Sequence, residues 1–193
     1  MAEKSFDIPN REQIQAELKR LRHRKRYWRT FRSTVFMLVV VAAVAVLAAT
    51  LWMPVLRIYG TSMTPTLIDG NIVVAVKDND LETGDVVAFY YNNKILVKRV
   101  IADTGQWVDM DENGKVYVDN IPLEEPYLTE TAYGNCDIAL PYQVPESRIF
   151  VMGDHRSVSV DSRNSSVGCI SKDQIVGKLV FCLWPMEDFS VIR

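Results

Sequence analysis

Three cysteines and two histidines are the only thiol and imidazole groups in this 193-residue sequence. Cys136, Cys169 and Cys182 form no Cys-x-x-Cys pair and have no cluster of histidines beside them. That spacing excludes a recognisable zinc site, so neither a metal nor a cofactor is expected. The thiols read as buried and idle, although two of them would be free to pair if the domain lies outside the cytosol. Internal repeats, low-complexity tracts and a DNA-binding segment are also missing.

One stretch lacks charge altogether. Between Ser33 and Leu56 there is no acidic or basic residue, and Val35–Leu51 is almost entirely Val, Ala, Leu and Met. As a helix it is long enough to cross a hydrocarbon core of about 30 Å. Tyr27, Trp28 and Trp52 flank it, as residues of an interfacial belt do. Residues 1–32 hold ten Lys/Arg against four Asp/Glu, whereas residues 33–193 hold twelve against twenty. The positive-inside rule then predicts a cytoplasmic segment over 1–32, a transmembrane anchor over 33–53 and an extracytoplasmic domain over 54–193. A cleavable signal peptide fits less well, because the run is too long and no small-residue cleavage site precedes Trp52-Met53-Pro54. Within the basic segment, Ile14, Leu18 and Leu21 recur at helical spacing, which predicts an amphipathic helix over 10–32.

Beyond Pro54 the pattern changes to short β-type runs separated by turn residues. Strands are expected at Val55–Tyr59, Ile72–Val76, Asp85–Tyr91, Lys94–Ala102, Trp107–Met110, Val116–Val118, Arg148–Met152 and Gly177–Leu183. Asn92-Asn93 and Asn113-Gly114 read as hairpin turns. Helical signals are few, with short turns expected at Ser62–Leu67 and Lys172–Ile175. The proline-rich stretch from Ile121 to Pro145 reads as a long surface excursion. The fold class is therefore mainly β, an antiparallel domain behind one N-terminal transmembrane helix.

Gly60-Thr61-Ser62-Met63-Thr64-Pro65 follows soon after the apolar run. A glycine lets a substrate approach closely and Pro65 stiffens the turn that presents the Ser62 hydroxyl. A serine needs a base to become a nucleophile. His155, the one histidine after the apolar run, sits beside Asp154 and makes a Ser-His-Asp triad available. Lys98 is the other possibility. It and Arg99 occupy adjacent positions of an apolar strand and so point to opposite faces. A lysine facing an apolar pocket has its pKa lowered and can accept a proton. Gly153–Arg163, with two acids, two arginines and three serines, is too polar for a core strand and suits a cross-linked loop.

These segments together resemble the type I signal peptidases, in the short single-span form of Gram-positive bacteria. The similarity rests on Ser62-Met63-Thr64-Pro65-Thr66-Leu67, Gly84-Asp85-Val86-Val87 and Lys98-Arg99-Val100-Ile101. The block from Gly153 to Arg163, and shorter echoes at Glu125-Pro126-Tyr127, Val144-Pro145-Glu146, Ile175–Lys178 and Trp184-Pro185, follow in the family's order. The resemblance implies that Ser62 is the nucleophile and Lys98 the general base. It implies that Ser159 orients the lysine amine, and that Asp161, Arg163, Asp154 and Arg99 hold the site together. The Ser62 backbone N–H would form part of an oxyanion hole. Ile58, Met63, Leu67 and Leu96 would shape shallow pockets for small residues of the Ala-x-Ala type. The expected partners are signal peptides of secreted preproteins, membrane lipid and a nearby secretion machinery, with no nucleic acid. The sequence departs from the family at His155, usually Asn, and at Gly60, where some members carry a serine donor. The self-cleaving SOS repressors share the Ser/Lys pairing but not the membrane span or the Gly153–Arg163 block, and a decayed binding domain would not need both Ser62 and Lys98.

Overall fold

The computed structural model describes residues 10–78 and 80–192. The chain divides into two compact units, with the division after Ala48.

The first unit is carried by one continuous helix, α1 (Arg11–Trp52), which runs through the basic segment and the apolar run without a break. Nothing in its sequence interrupts it: glycine and proline are absent from residues 11–52. Its Arg24–Trp52 part is long and apolar enough to cross a membrane. Phe36, Met37 and Leu38 are each more than 60% exposed, a surface that calls for apolar surroundings. The side chains of Ile14, Leu18 and Leu21, the expected apolar stripe, lie outside the described residues.

Among the described residues the second unit has twelve antiparallel strands. They are β1 (Val55–Arg57), β2 (Ile72–Val76), β3 (Val86–Tyr91), β4 (Lys94–Ala102), β5 (Trp107–Met110) and β6 (Val116–Val118), followed by β7 (Ile121–Pro122), β8 (Tyr142–Gln143), β9 (Arg148–Met152), β10 (Ile170–Ser171), β11 (Ile175–Trp184) and β12 (Ser190–Val191). One sheet has the order β1-β2-β11-β3-β4-β9-β10, with β12 also on β11, and a smaller sheet runs β7-β6-β5-β8. Five strands have the ends expected from their β-type runs, namely β2, β4, β5, β6 and β9. The β3–β4 hairpin turns on Asn92 and Asn93, both at positive φ, a conformation that asparagine tolerates and a two-residue hairpin requires.

Three buried apolar clusters fill the unit. Val73, Ala75, Val86, Ala88 and Leu179 center one, Val87, Val100, Val151 and Ile170 another, and Ile101, Val108, Val116 and Phe150 the third. β4 links them because its second half has strands on both sides and buries both faces.

The segment expected as a surface excursion does more than that. Its ends form β7 and β8, which pair with β6 and β5. Leu123, Ile138, Leu140 and Tyr142 pack against the third cluster, and Val144 is buried. Two-residue strands are too short to carry an alternating pattern, which is why composition alone pointed to a surface loop.

Candidate active site

β4 sets the geometry. Its register against β3 pairs Lys98 with Val87 and Arg99 with Val86, so the two cations leave opposite faces of one strand. Lys98 turns to the turn that follows β1, where its Nζ lies 2.6 Å from Ser62 Oγ. The lysine is 3% exposed. Burial pushes its pKa down from 10.5 to about 8, with Asp161 and Asp154 opposing that shift and Arg163 adding to it.

Arg99 goes the other way and is fully buried. Its Nε and Nη2 donate to the two carboxylate oxygens of Asp154 at 2.9 and 2.7 Å, and Nη1 donates to the carbonyl of Gly84 at 2.6 Å. The Thr66 hydroxyl donates to the same Asp154 carboxylate at 2.5 Å, which ties the serine turn to this ion pair. A second bidentate pair lies close by in sequence: Arg163 Nε and Nη2 each donate to Asp161 at 2.9 Å. Burial alone would raise the Asp161 carboxyl, but the hydrogen bonds and charge of Arg163 outweigh it and hold the pKa below the ordinary value. Asp161 also accepts the N–H of Gly153 at 3.0 Å.

Gly153 packs tightly against the serine turn. A Cβ there would lie 2.5 Å from the Ser62 carbonyl and 2.2 Å from Ser159 Oγ. The Ser62 carbonyl accepts the backbone N–H of His155 at 3.1 Å. The His155 ring nitrogen Nδ1 lies 3.3 Å from the carbonyl of Thr61. His155 thus touches the backbone of the serine turn and makes no hydrogen bond to the Ser62 hydroxyl.

Among the residues expected at the site, Ser62, Lys98, Arg99, Asp154, Asp161 and Arg163 meet through these contacts. Ser159 differs from expectation. Its Oγ is buried and makes no hydrogen bond to the Lys98 amine, which is directed at Ser62; the hydroxyl lies near the Asp161 carboxylate and helps hold that pKa down. The sequence reading missed Thr66, Glu125, Tyr127 and Arg156 as members of the network. Thr66 reaches Asp154 across 88 positions and Arg156 reaches Glu125 across 31, while Tyr127 packs its ring on Arg99; each lies within a quoted motif, but its partner does not show in the sequence.

A cleft of about 740 Å³ opens onto Ser62 and Lys98. One wall is Val55–Gly60 and the other is Asn93–Lys98. β1 pairs only with β2, and β4 pairs with β9 only from Arg99 onward, so each wall presents an unpaired strand edge among the described residues. Ile58, Met63 and Leu96 line the cleft. Leu67 does not. It is 1% exposed and belongs to the core cluster that also holds Ile58 and Met63. No group of three or more His, Cys, Asp or Glu among the described residues has the arrangement of a metal site.

Comparison with known proteins matches residues 29–184 to the family model described as signal peptidase, peptidase S26. The chain belongs to the signal peptidase family. Within the S26 family, it is 39% identical over 153 residues to signal peptidase IB of Staphylococcus aureus strain COL, covering 69% of this chain and 78% of that one. It is 34% identical over 147 residues to the chloroplastic thylakoidal processing peptidase 1 of Arabidopsis thaliana, covering 67% of this chain and 42% of the plant protein. Among solved structures, a signal peptidase I from Enterococcus faecalis V583 aligns at 26% identity and a TM-score of 0.46, over 52% of this chain and 97% of that chain. Membership makes the chain a signal peptidase I enzyme.

Proposed function

We propose that this enzyme is a membrane-anchored serine endopeptidase that removes signal peptides from exported preproteins after small residues, with Ser62 as nucleophile and Lys98 as general base. The observation that carries the reading is the 2.6 Å contact between Lys98 Nζ and Ser62 Oγ at a lysine whose pKa is brought to about 8 by burial. A neutral Lys98 takes the Ser62 proton as Oγ attacks the scissile carbonyl. The tetrahedral oxyanion is met by the Ser62 backbone N–H, with no side-chain donor from Gly60. Lys98 then passes the proton to the leaving amine and activates the water that hydrolyses the acyl-enzyme, returning Ser62 to its starting state.

The arginine–aspartate pairs support this by fixing the two partners. Arg99–Asp154 joins the strand next to Lys98 to Thr66 of the serine turn. Arg163–Asp161 holds the loop through Gly153. In this reading Ser159, buried close to Gly153, lends an acceptor to the Lys98 ammonium when the amine turns away from Ser62 after proton transfer.

The substrate lies extended between β1 and the first half of β4, adding its main chain to the two unpaired edges. Ile58, Met63 and Leu96 floor shallow pockets that suit alanine at the two positions that set specificity. The helix anchors the enzyme with residues 1–32 in the cytoplasm, 33–53 in the bilayer and 54–193 outside. Enzyme and membrane-held substrate then share one surface, which raises their effective concentration.

Cleavage of a synthetic preprotein by the full chain in detergent tests the substrate assignment. Cutting is expected after an Ala-x-Ala sequence, identified by the mass of the product, and is expected to stop when either alanine becomes phenylalanine. Efficient cutting of the phenylalanine substrates would contradict the small-pocket reading.

A further inference from the structure

Three arginines, Arg99, Arg156 and Arg163, are the largest of the side chains that are completely buried. All three lie in or beside the Ser62–Lys98 site, and the segment between Ile121 and Pro145 reaches each of them. The Tyr127 ring lies under the Arg99 guanidinium, 3.8 Å from carbon to ring centroid. Glu125 receives Nη1 of Arg156 at 3.1 Å and also Nη2, and the Tyr127 hydroxyl donates to the same carboxylate at 2.8 Å. The Tyr133 carbonyl accepts Nη1 of Arg163 at 2.8 Å. Gly134 beside it has no room for a side chain, since a Cβ would come within 2.4 Å of the Arg156 carbonyl.

Two of these contacts reach the dyad through one neighbouring residue. Arg99 follows Lys98 on β4, and Arg156 follows His155, whose backbone N–H holds the Ser62 carbonyl. The edge of the Arg99 guanidinium is committed to Asp154 and Gly84, so its flat face is what Tyr127 covers. A buried guanidinium face packed on an aromatic ring is attracted by the ring's electrons and is kept from water. Burial raises the Tyr127 phenol above its ordinary value, with Glu125 adding to the shift, so the hydroxyl stays a donor to that carboxylate.

We propose that Glu125 and Tyr127 are positioning residues of the active site, holding Arg99 and Arg156 so that Lys98 and the Ser62 turn keep their registration. The segment from Ile121 to Pro145 is then part of the catalytic apparatus and not a decoration of the fold. This rests on the assignment of the Ser62/Lys98 dyad.

The test keeps the shape of residue 127 and varies its electrons. Tyr127→Phe and phenylalanines with one, two and three ring fluorines are placed at position 127 of the full chain, and preprotein cleavage is followed in detergent. The positioning role predicts that kcat falls stepwise with fluorination, by about tenfold across the series, while KM holds because Tyr127 lies outside the cleft. Glu125→Gln, which keeps the carboxylate's shape without its charge, is expected to lower kcat by a similar factor. A flat kcat across the fluorinated series, or a Glu125→Gln enzyme with the parent kcat, overturns the proposal. Ser62→Ala in the same assay separates the two levels: cleavage by it would overturn the dyad itself, whereas an inactive Ser62→Ala beside a flat series overturns only the positioning role.

Discussion

Lys98 and Ser62 are thirty-six positions apart in the chain, and their side-chain termini meet at 2.6 Å on the wall of one cleft. The lysine leaves a strand whose next residue, Arg99, leaves the opposite face to bind Asp154, and Asp154 in turn holds the turn that carries the serine. The proposed base and the proposed nucleophile are thus fixed to the same buried ion pair.

The first consequence is a pH dependence. Proton abstraction needs neutral Lys98, and burial brings its pKa from 10.5 to about 8. The kcat/KM for preprotein cleavage is expected to rise as pH increases and to reach half its plateau near that value. A limb centred close to 10.5 would show that the lysine is hydrated in the working enzyme.

The same shift carries a cost in stability. Between about pH 8 and 10.5 the unfolded chain binds a proton at Lys98 that the folded chain does not, so stability contributed at this position rises with pH through that window. Below it the penalty is complete, at up to about 3 kcal/mol for a shift of this size. Lys98→Met is therefore expected to be inactive yet more stable than the parent at pH 7, with the difference closing as the pH approaches 10.5. Urea unfolding at several pH values measures it, and a destabilised Lys98→Met at pH 7 would contradict the burial argument.

Gly153→Ala places a methyl group against the Ser62 carbonyl and Ser159 Oγ, where neither the backbone nor a fully buried side chain has room to move. Activity is expected to fall at least about tenfold, with a loss of roughly 1–3 kcal/mol in stability. Thermal unfolding and a cleavage assay on the same preparation check both.

Asp154→Ala takes the carboxylate away from the buried Arg99 and removes the acceptor of the Thr66 hydroxyl. Breaking one side of a buried ion pair costs about 3–5 kcal/mol, more than an exposed pair such as Lys172–Asp103 is worth. Denaturant unfolding of Asp154→Ala beside Asp103→Ala compares the two directly.

Much of this was readable from residue order. The opposite orientation of Lys98 and Arg99 follows from the two-residue period of a strand, and the longer strands declared themselves as β-type runs between turn residues. The apolar helix did so by length and lack of charge. What stayed hidden depends on distance through space. Glu125 and Tyr127 sit in a proline-rich stretch with no periodicity, and only folding brings them to Arg156 and Arg99. Leu67 reads like its neighbour Met63, but at the next turn of chain it enters the core and leaves the cleft wall to Met63. His155 next to Asp154 makes a Ser-His-Asp triad available by composition, while its ring is held at the Thr61 carbonyl.

That histidine defines the most direct test of the central claim. Cleavage of one preprotein by the full-length chain in detergent is compared for Ser62→Ala, Lys98→Ala and His155→Ala. The account predicts no activity above background for the first two, and a His155→Ala enzyme that still cuts, slowed by less than about tenfold through the loss of one contact to the Thr61 carbonyl. A working Lys98→Ala enzyme beside an inactive His155→Ala enzyme would contradict it.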